Sequence, residues 1–230
     1  MRLLLAVGLD ETATSRAFDL LRDAGPARLR TVPAAPSRSD LDGALDTLGA
    51  AGEDTLVIAA GDAGLNTVVT RLLRRGGSAD LPVAVLPAGG SAVGRWLGLP
   101  AGTDAAVGVA LTGTPTRCGL VRDDHGGVLL ASATLTPWQG RRFGTRAYLD
   151  DTEIANRMIR ELAVRPGDGC LHATVTAGRL AGPSRSRAGR AVTVSCEPAR
   201  LVVDGGPHPR PQTRRTWWYQ PDLWQVVLPG

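Results

Sequence analysis

Apolar residues in the first half of the chain fall in short unbroken runs separated by stretches with helical spacing. Leu3 to Val7, Thr55 to Ala60 and Val83 to Leu86 are runs of strand length without polar alternation, and Arg28 to Val32 is a further candidate strand ending at Pro33. Between them, Ser15 to Asp23 places Ala17, Leu20 and Leu21 on one helical face before Gly25 and Pro26 stop it. Ser39 caps a helix carrying Leu41, Ala44, Leu45 and Leu48, and Leu65 to Arg75 reads as a helix ended by Gly76-Gly77. Val93 to Leu97 and Asp104 to Leu111, the latter capped by Thr103, complete the helices. Strands without alternation, joined through helices, predict a parallel sheet covered on both faces.

The texture changes after about Thr114. Gly119 to Arg122 and Val128 to Thr136 flank Asp123-Asp124-His125-Gly126-Gly127, which is hairpin chemistry. Leu171 to Thr176, Ala191 to Cys196, Leu201 to Val203 and Trp224 to Leu228 are short and strand-like. One helix interrupts them, Asp151 to Leu162, with Ile154, Met158, Ile159 and Leu162 on one face, while Pro183 to Gly189 and Gly205 to Arg215 read as polar loops. The expected fold is therefore α/β: a parallel-sheet domain over residues 1–114, followed by an antiparallel β-rich domain over 115–230.

Composition narrows the chemistry. The 230 residues are 43% hydrophobic and 21% charged, ordinary for a globular chain, and no apolar run approaches the ~20 residues of a spanning helix. Gly8 and Asp10 stop the first apolar run short of a signal peptide, so it reads as a buried strand and a cytoplasmic location is expected. There is no lysine, so all 26 basic residues are arginine. That excludes a Walker-A lysine, a protein-kinase strand lysine and a Schiff-base lysine, and leaves phosphate to backbone amides, arginine or metal. The net charge is only +4 and no block is purely basic, so nucleic acid is not an expected partner. Cys118, Cys170 and Cys196 lack CxxC spacing and read as small hydrophobes; His125, His172 and His208 are scattered, and His125 and His208 read as loop residues. Trp217-Trp218-Tyr219 and Trp224 read first as core, and second as an aromatic edge making peripheral membrane contact beside Arg214 and Arg215.

Two loops carry the candidate site. Ala60-Gly61-Asp62-Ala63-Gly64-Leu65-Asn66 follows a buried strand and opens a helix, a junction where unpaired amides meet anions; it is equally a tight strand-to-helix connection. Asp62 can engage a metal or a substrate hydroxyl. Pro87-Ala88-Gly89-Gly90-Ser91 repeats the context after the next strand, and two such loops can clamp one phosphorylated ligand.

These segments resemble the catalytic domain of the diacylglycerol kinase and sphingosine kinase family of lipid kinases. That family shows G-G-D-G-T-x-N-E-V-V and then P-x-G-T-x-N-D-F-A-R-x-L-G-x-P. Here Ala60 to Val69 takes the first motif, and Leu86 to Gly90 with Leu97-Gly98-Leu99-Pro100 the second. NAD kinases share the first motif and the fold but differ in the second loop. Asp168-Gly169-Cys170-Leu171 resembles the family's aspartate-glycine step, Val202 to Pro207 its V-x-x-D-G-E-P turn, and Val226 to Pro229 its ending. The resemblance implies ATP held by Gly61, Asp62, Ala63, Gly64, Asn66, Gly89, Gly90 and Ser91, with Asp62 as the catalytic residue. It also implies Mg²⁺ at Asp168 with the carbonyls of Arg165 and Cys170, and a lipid hydroxyl as acceptor in the second domain.

The departures fall on the chemistry. The first and third family glycines are Ala60 and Ala63, the threonine is Gly64, and the glutamate after the asparagine is Thr67. Gly90 and Ser91-Ala92-Val93 replace a threonine and an asparagine-aspartate pair, and the glutamate of the D-G-E turn is Gly206. Glycine supplies no acid, base or ligand side chain. The expected protein is thus a divergent lipid kinase transferring the γ-phosphate of ATP, or an inactive relative binding nucleotide, lipid or a partner.

Overall fold

In the computed structural model, residues 1–48, 54–76, 80–177 and 184–230 are described, and they divide into two compact units, Met1–Cys118 with Asp222–Gly230 and Gly119–Pro221. The first unit alternates strand and helix: β1 (Arg2–Val7), α1 (Glu11–Asp23), β2 (Ala27–Val32), α2 (Arg38–Leu45), β3 (Thr55–Ala60), α3 (Asp62–Arg74), β4 (Pro82–Pro87), α4 (Ala92–Trp96) and α5 (Thr103–Thr112). All strand pairings between β1 and β2, β1 and β3, and β3 and β4 are parallel. The returning end of the last strand adds to β4 in parallel through Gln225 and Val226. Leu4, Val57, Ala59, Ala84, Leu86 and Val227 pack with Ala17 and Leu21 of α1 and Ala106, Val107 and Ala110 of α5. Because side chains alternate along a strand, buried Leu3, Leu5, Leu56 and Ile58 lie on the other face, which explains why these strands read as continuous apolar runs.

The helices begin where capping chemistry allows. Asp10 caps α1 by accepting from the Ala13 amide at 2.8 Å, so the helix starts at Glu11, four residues before the Ser15 expected from periodicity. Ser37, not Ser39, caps α2, in a capping box with Asp40, whose carboxyl is held below its usual range by hydrogen bonds from Ser37. Gly102 rather than Thr103 is the cap of α5, and Leu65 lies one turn inside α3. Gly76 takes a positive φ after α3; Gly77 lies outside the described residues.

The second unit is built on β5 (Thr114–Asp123), β6 (Val128–Leu129), β7 (Ala133–Pro137), β8 (Phe143–Leu149), β9 (Thr152–Ile159), β10 (Glu161–Pro166), β11 (Leu171–Thr176), β12 (Arg185–Gly189), β13 (Ala191–Val203), β14 (Gly206–Pro207) and β15 (Gln212–Leu228); β5 begins, and β15 ends, in the first unit. The last nine residues thus return to the first unit instead of staying with the second. Among the described residues, β10 joins β7 and β11, β11 joins β12, and β13 joins β7, β8, β14 and β15, in antiparallel pairs, as do β5 with β6 and β8 with β9. The long strand β13 forks: Val192–Cys196 pair with β8, and Ala199–Val203 pair with β7, across an irregularity at Ser195/Ala199 that includes Pro198. Two leaves result, and Phe143, Ile159, Leu162, Leu171, Val192, Leu201 and Trp217 share the core between them.

Three expectations fail here for identifiable reasons. Asp151 to Leu162 is not a helix but β9 and the start of β10. Ala155, Arg157 and Ile159 face the same way opposite Ala147, Thr145 and Phe143, and the exposed Arg157 interrupts the apolar alternation, leaving an i, i+4 spacing that mimics a helix. Residues 185–189 form edge strand β12 and not a loop, with serine and arginine alternating because the strand has one neighbour, β11; Pro183 lies outside the described residues. Gln212 to Arg215 already belong to β15. Trp217 and Trp224 are 1% and 2% exposed, so the aromatic cluster is core at those positions, as its first reading held.

Candidate functional site

The carboxyl ends of β1, β3 and β4 lie in register at Val7, Ala60 and Pro87. From β1 the chain proceeds to β2 on one side, then returns to β3 on the other, so the switch point of the sheet falls between β1 and β3. Ligands of parallel sheets bind outside that point, where successive helices leave on opposite faces. Two loops border it. Gly8 has φ 60, and a Cβ there would stand 2.6 Å from Ala34, so the turn out of β1 requires glycine. Across the crevice Gly61 caps α3 without any side-chain hydrogen bond, leaving the amides of its first turn without a capping side chain, whereas α1 is capped by Asp10.

Asp62 joins the two glycine loops. Its Oδ1 accepts from the Ser91 hydroxyl and, at 3.4 Å, from the Val93 amide; its Oδ2 accepts from the Ala92 amide at 2.8 Å. Ser91 in turn caps α4 by accepting from the Gly94 amide at 2.8 Å. A carboxylate offers about four acceptor sites. Three are therefore used in fastening the second loop to the start of α3, and one on Oδ2 remains for a ligand. The second loop is a tight turn: the Ser91 amide donates to the Ala88 carbonyl at 3.1 Å, Gly90 has φ 79, and Arg95 donates to the Gly90 carbonyl at 2.8 Å. The Ala88 amide bonds the Ala60 carbonyl at 3.0 Å, tying that turn to β3.

The glycines differ in what demands them. A Cβ at Gly64 would meet Val7 at 3.0 Å and Ala60 at 3.3 Å, so the small residue lets α3 approach the sheet, and the threonine of the resembling motif would not fit without movement. A Cβ at Gly61 or Gly89 would meet nothing within 4 Å, so protein packing does not account for those two. Ala63 is exposed on the first turn of α3, and its carbonyl accepts from Thr67 Oγ1 at 2.9 Å. Asn66 is half-buried and its Oδ1 accepts from Thr70 at 3.4 Å. Gly61, Asp62, Ala63, Gly64, Gly89, Gly90 and Ser91 are thus carried by two neighbouring loops of one unit. Arg95 escaped the sequence reading, and Gly8 and Asp10 were read there only as the end of the first apolar run; an aspartate just after an apolar strand was the available signal for the helix cap at Asp10.

In the second unit, Asp168 is exposed in the turn between β10 and β11, where Gly169 has φ 68. The Cys170 carbonyl accepts from the Gly167 amide at 2.9 Å, and Arg165 sits opposite His172 in the ladder. Among the described residues no group of three or more His, Cys, Asp or Glu could hold a metal. One exposed carboxylate and two carbonyls, one of them already bonded, do not make up the shell a hard cation needs. These residues do not fit a resident magnesium ion.

The turn that resembles the family's V-x-x-D-G-E-P segment, with Gly206 in place of the glutamate, has a structural role. Asp204 and Gly205, with φ 48 and 79, form the two-residue hairpin between β13 and β14 in which Val203 pairs with Gly206. The Asp204 carboxylate, 2% exposed as a residue, accepts from the amides of Leu130, Ala131 and Ser132, each at 2.8 Å. Nearby, Arg215 is buried with one guanidinium nitrogen 3.3 Å from Asp123 and another donating to Gln212 at 2.7 Å.

The cysteines are half-buried. Burial, with Glu197 beside it, pushes the Cys196 thiol up to about 11, and burial raises Cys118, with Asp222 adding to it. Both thiols are expected to react slowly with Ellman's reagent at neutral pH and rapidly in denaturant. Because the folded value of Cys196 exceeds the ordinary 9.0, its contribution to stability is complete below pH 9.0 and lost as pH rises through about 11. An alkaline stability loss unchanged in Cys196→Ala would contradict this.

The fold has solved counterparts. A diacylglycerol kinase from Bacillus anthracis superposes with TM-score 0.70 at 13% identity, covering 99% of this chain and 96% of that one. An NAD kinase from Archaeoglobus fulgidus, solved with ATP, gives 0.65 at 13% identity over 100% and 94%. Yeast NADH kinase, solved with NADH, gives 0.64 at 9% over 100% and 84%. No protein-family model matches the sequence, and no curated protein matches it. The chain has the kinase-like fold these proteins share, an α/β unit with parallel strands joined to an antiparallel β-rich one. No described helix is long and apolar enough to cross a membrane.

Proposed function

We propose that the protein is an ATP-dependent phosphotransferase of lipid-kinase type, binding MgATP at the loops after β1, β3 and β4 and acting on the hydroxyl of a diacylglycerol-class lipid held by the second domain. The observation that carries this is the pair of glycine loops clasped through Asp62, beside an uncapped α3 and with two glycines that packing does not require. In such a site loop amides and the α3 amino end would receive phosphate oxygens, and the metal that travels with the nucleotide would neutralise phosphate charge. The fold shared with an NAD kinase solved with ATP supports nucleotide use. A cytoplasmic protein working at the membrane surface fits this reading.

A second reading, nucleotide binding without turnover, is favoured by two observations: three acceptor sites of Asp62 are spent on the second loop, and Gly206 supplies no side chain. Calorimetric titration with MgATP followed by a radiolabelled transfer assay to diacylglycerol in mixed micelles separates them. Phosphatidate formation establishes the first; saturable binding without transfer to diacylglycerols or sphingoid bases establishes the second; absence of binding removes both. Gly89→Ala is expected to leave melting temperature unchanged or slightly raised, by roughly 0.4–1 kcal/mol of stability, and Gly61→Ala, at the N-cap of α3, to lower it by about 0.5–1 kcal/mol, while each weakens MgATP at least about tenfold. Equal affinity in both variants would show that no ligand approaches those backbones.

A further inference from the structure

We infer that the second unit carries a separate binding site for a tetrahedral oxyanion of phosphate type, in the groove between β9 and the edge strand β12. The groove holds about 80 Å³ and is lined by Arg157, Arg185 and Arg187 around a floor of Ile154, Ala173 and Val175, with Glu153 at its side. The register puts Arg185 opposite Val175 and Arg187 opposite Ala173. Paired residues share a face of the sheet, and Ala173 and Val175 belong to the buried face. The two guanidinium groups of the edge strand therefore project on the core side, where an aliphatic side chain would ordinarily extend the core. Arg157 enters the same groove from β9.

None of the three arginine side chains has a hydrogen-bond or ion-pair partner among the described residues. The one acid in the groove is occupied elsewhere: Glu153 accepts from Tyr148 at 3.0 Å and from Arg146 at 3.4 Å. Three cations beside a single carboxylate, itself engaged by Arg146, leave the groove with an excess of positive charge, and an anion between the guanidinium groups relieves it. Guanidinium favours oxyanions because its planar donors match two oxygens at once. At about 80 Å³ the groove has room for several waters or for one phosphate group. The shared chemistry is a phosphate, either free or as the headgroup of an anionic lipid. Inward charge on an edge strand also blocks pairing with other sheets, and that simpler role is the competing explanation.

The test is independent of nucleotide binding. Inorganic phosphate is titrated into the full chain without ATP or magnesium, and vesicles of phosphatidylcholine with and without phosphatidate are co-sedimented with it. Saturable phosphate binding is expected, weakened on the order of a hundredfold in R185Q/R187Q and about tenfold in R157Q. Circular dichroism checks the fold, and R157Q, on the other strand, serves if the double variant unfolds. Recruitment to phosphatidate vesicles that free phosphate reverses assigns the headgroup; phosphate binding without recruitment assigns the free ion. Failure of the wild type to bind either probe, or equal binding by all variants, overturns the site, and new self-association of R185Q/R187Q without any change in binding would establish edge protection instead.

Discussion

Replacing Asp204 by alanine is expected to destabilise the second unit by about 3–5 kcal/mol, because it strips a buried acceptor from three amides at once. Leu130, Ala131 and Ser132 each donate to that carboxylate at 2.8 Å, and the intervening chain has no regular structure in which those amides could find new partners. The substitution also puts a residue with no local hydrogen-bonding side chain at φ 48, a conformation costing about 1–2 kcal/mol for most residues. Against a typical stability of about 5–15 kcal/mol, that is enough to leave a substantial unfolded population. Asparagine tolerates the left-handed conformation and keeps one oxygen, so Asp204→Asn should lose roughly half as much. Urea unfolding, with hydrogen exchange at the three amides, measures both. An alanine variant within about 1 kcal/mol of wild type would mean that water replaces the carboxylate at little cost. The aspartate of the turn thus acts on β6–β7 geometry, and lost activity in Asp204→Ala would report lost structure.

The first unit was legible because its strands are buried on both faces and its helices are amphipathic, so apolar runs and helical spacing identify elements directly. Thr55 to Ala60 is observed with its expected bounds. Helix starts were less legible: Asp10 and Ser37 are chosen over nearby candidates by where the preceding strand or turn delivers the chain. In the second unit a period-two pattern is broken wherever a long polar side chain sits on the inner face near an edge, as at Arg157 in β9 and Arg185 and Arg187 in β12. No local signal distinguishes such a strand from a helix or a loop. At the site, the glycine loops could be read from spacing, but the clasp between Asp62 and Ser91 could not, since the two are 29 positions apart and meet only because β3 and β4 are neighbours. Likewise the demand for Gly64 comes from Val7, on a different strand.

Asp62→Ala is expected to weaken MgATP by at least about tenfold while leaving metal-free ATP bound as well as, or better than, by wild type. The opposite signs come from two roles of one carboxylate. As a clasp it holds Ser91, Ala92 and Val93 against the start of α3, and its loss leaves a hydroxyl and two amides without that partner, at roughly 2 kcal/mol. As a charge it stands on the first residue of α3, where nucleotide phosphates would sit, and at ~4 Å two such charges repel by about 1–4 kcal/mol. A divalent cation reverses the second effect, since the acceptor site left on Oδ2 can then face a positive centre; without one, removing the charge favours the phosphates and offsets loosening of the loop. Parallel titrations with magnesium and with EDTA separate the roles. Equal losses under both conditions would reduce Asp62 to a loop tie and leave the proposed transfer without its catalytic residue. A selective loss with magnesium would place the carboxylate at the nucleotide's metal, with Asp62→Asn, which retains one oxygen of the clasp, showing the same selectivity and a smaller drop in melting temperature.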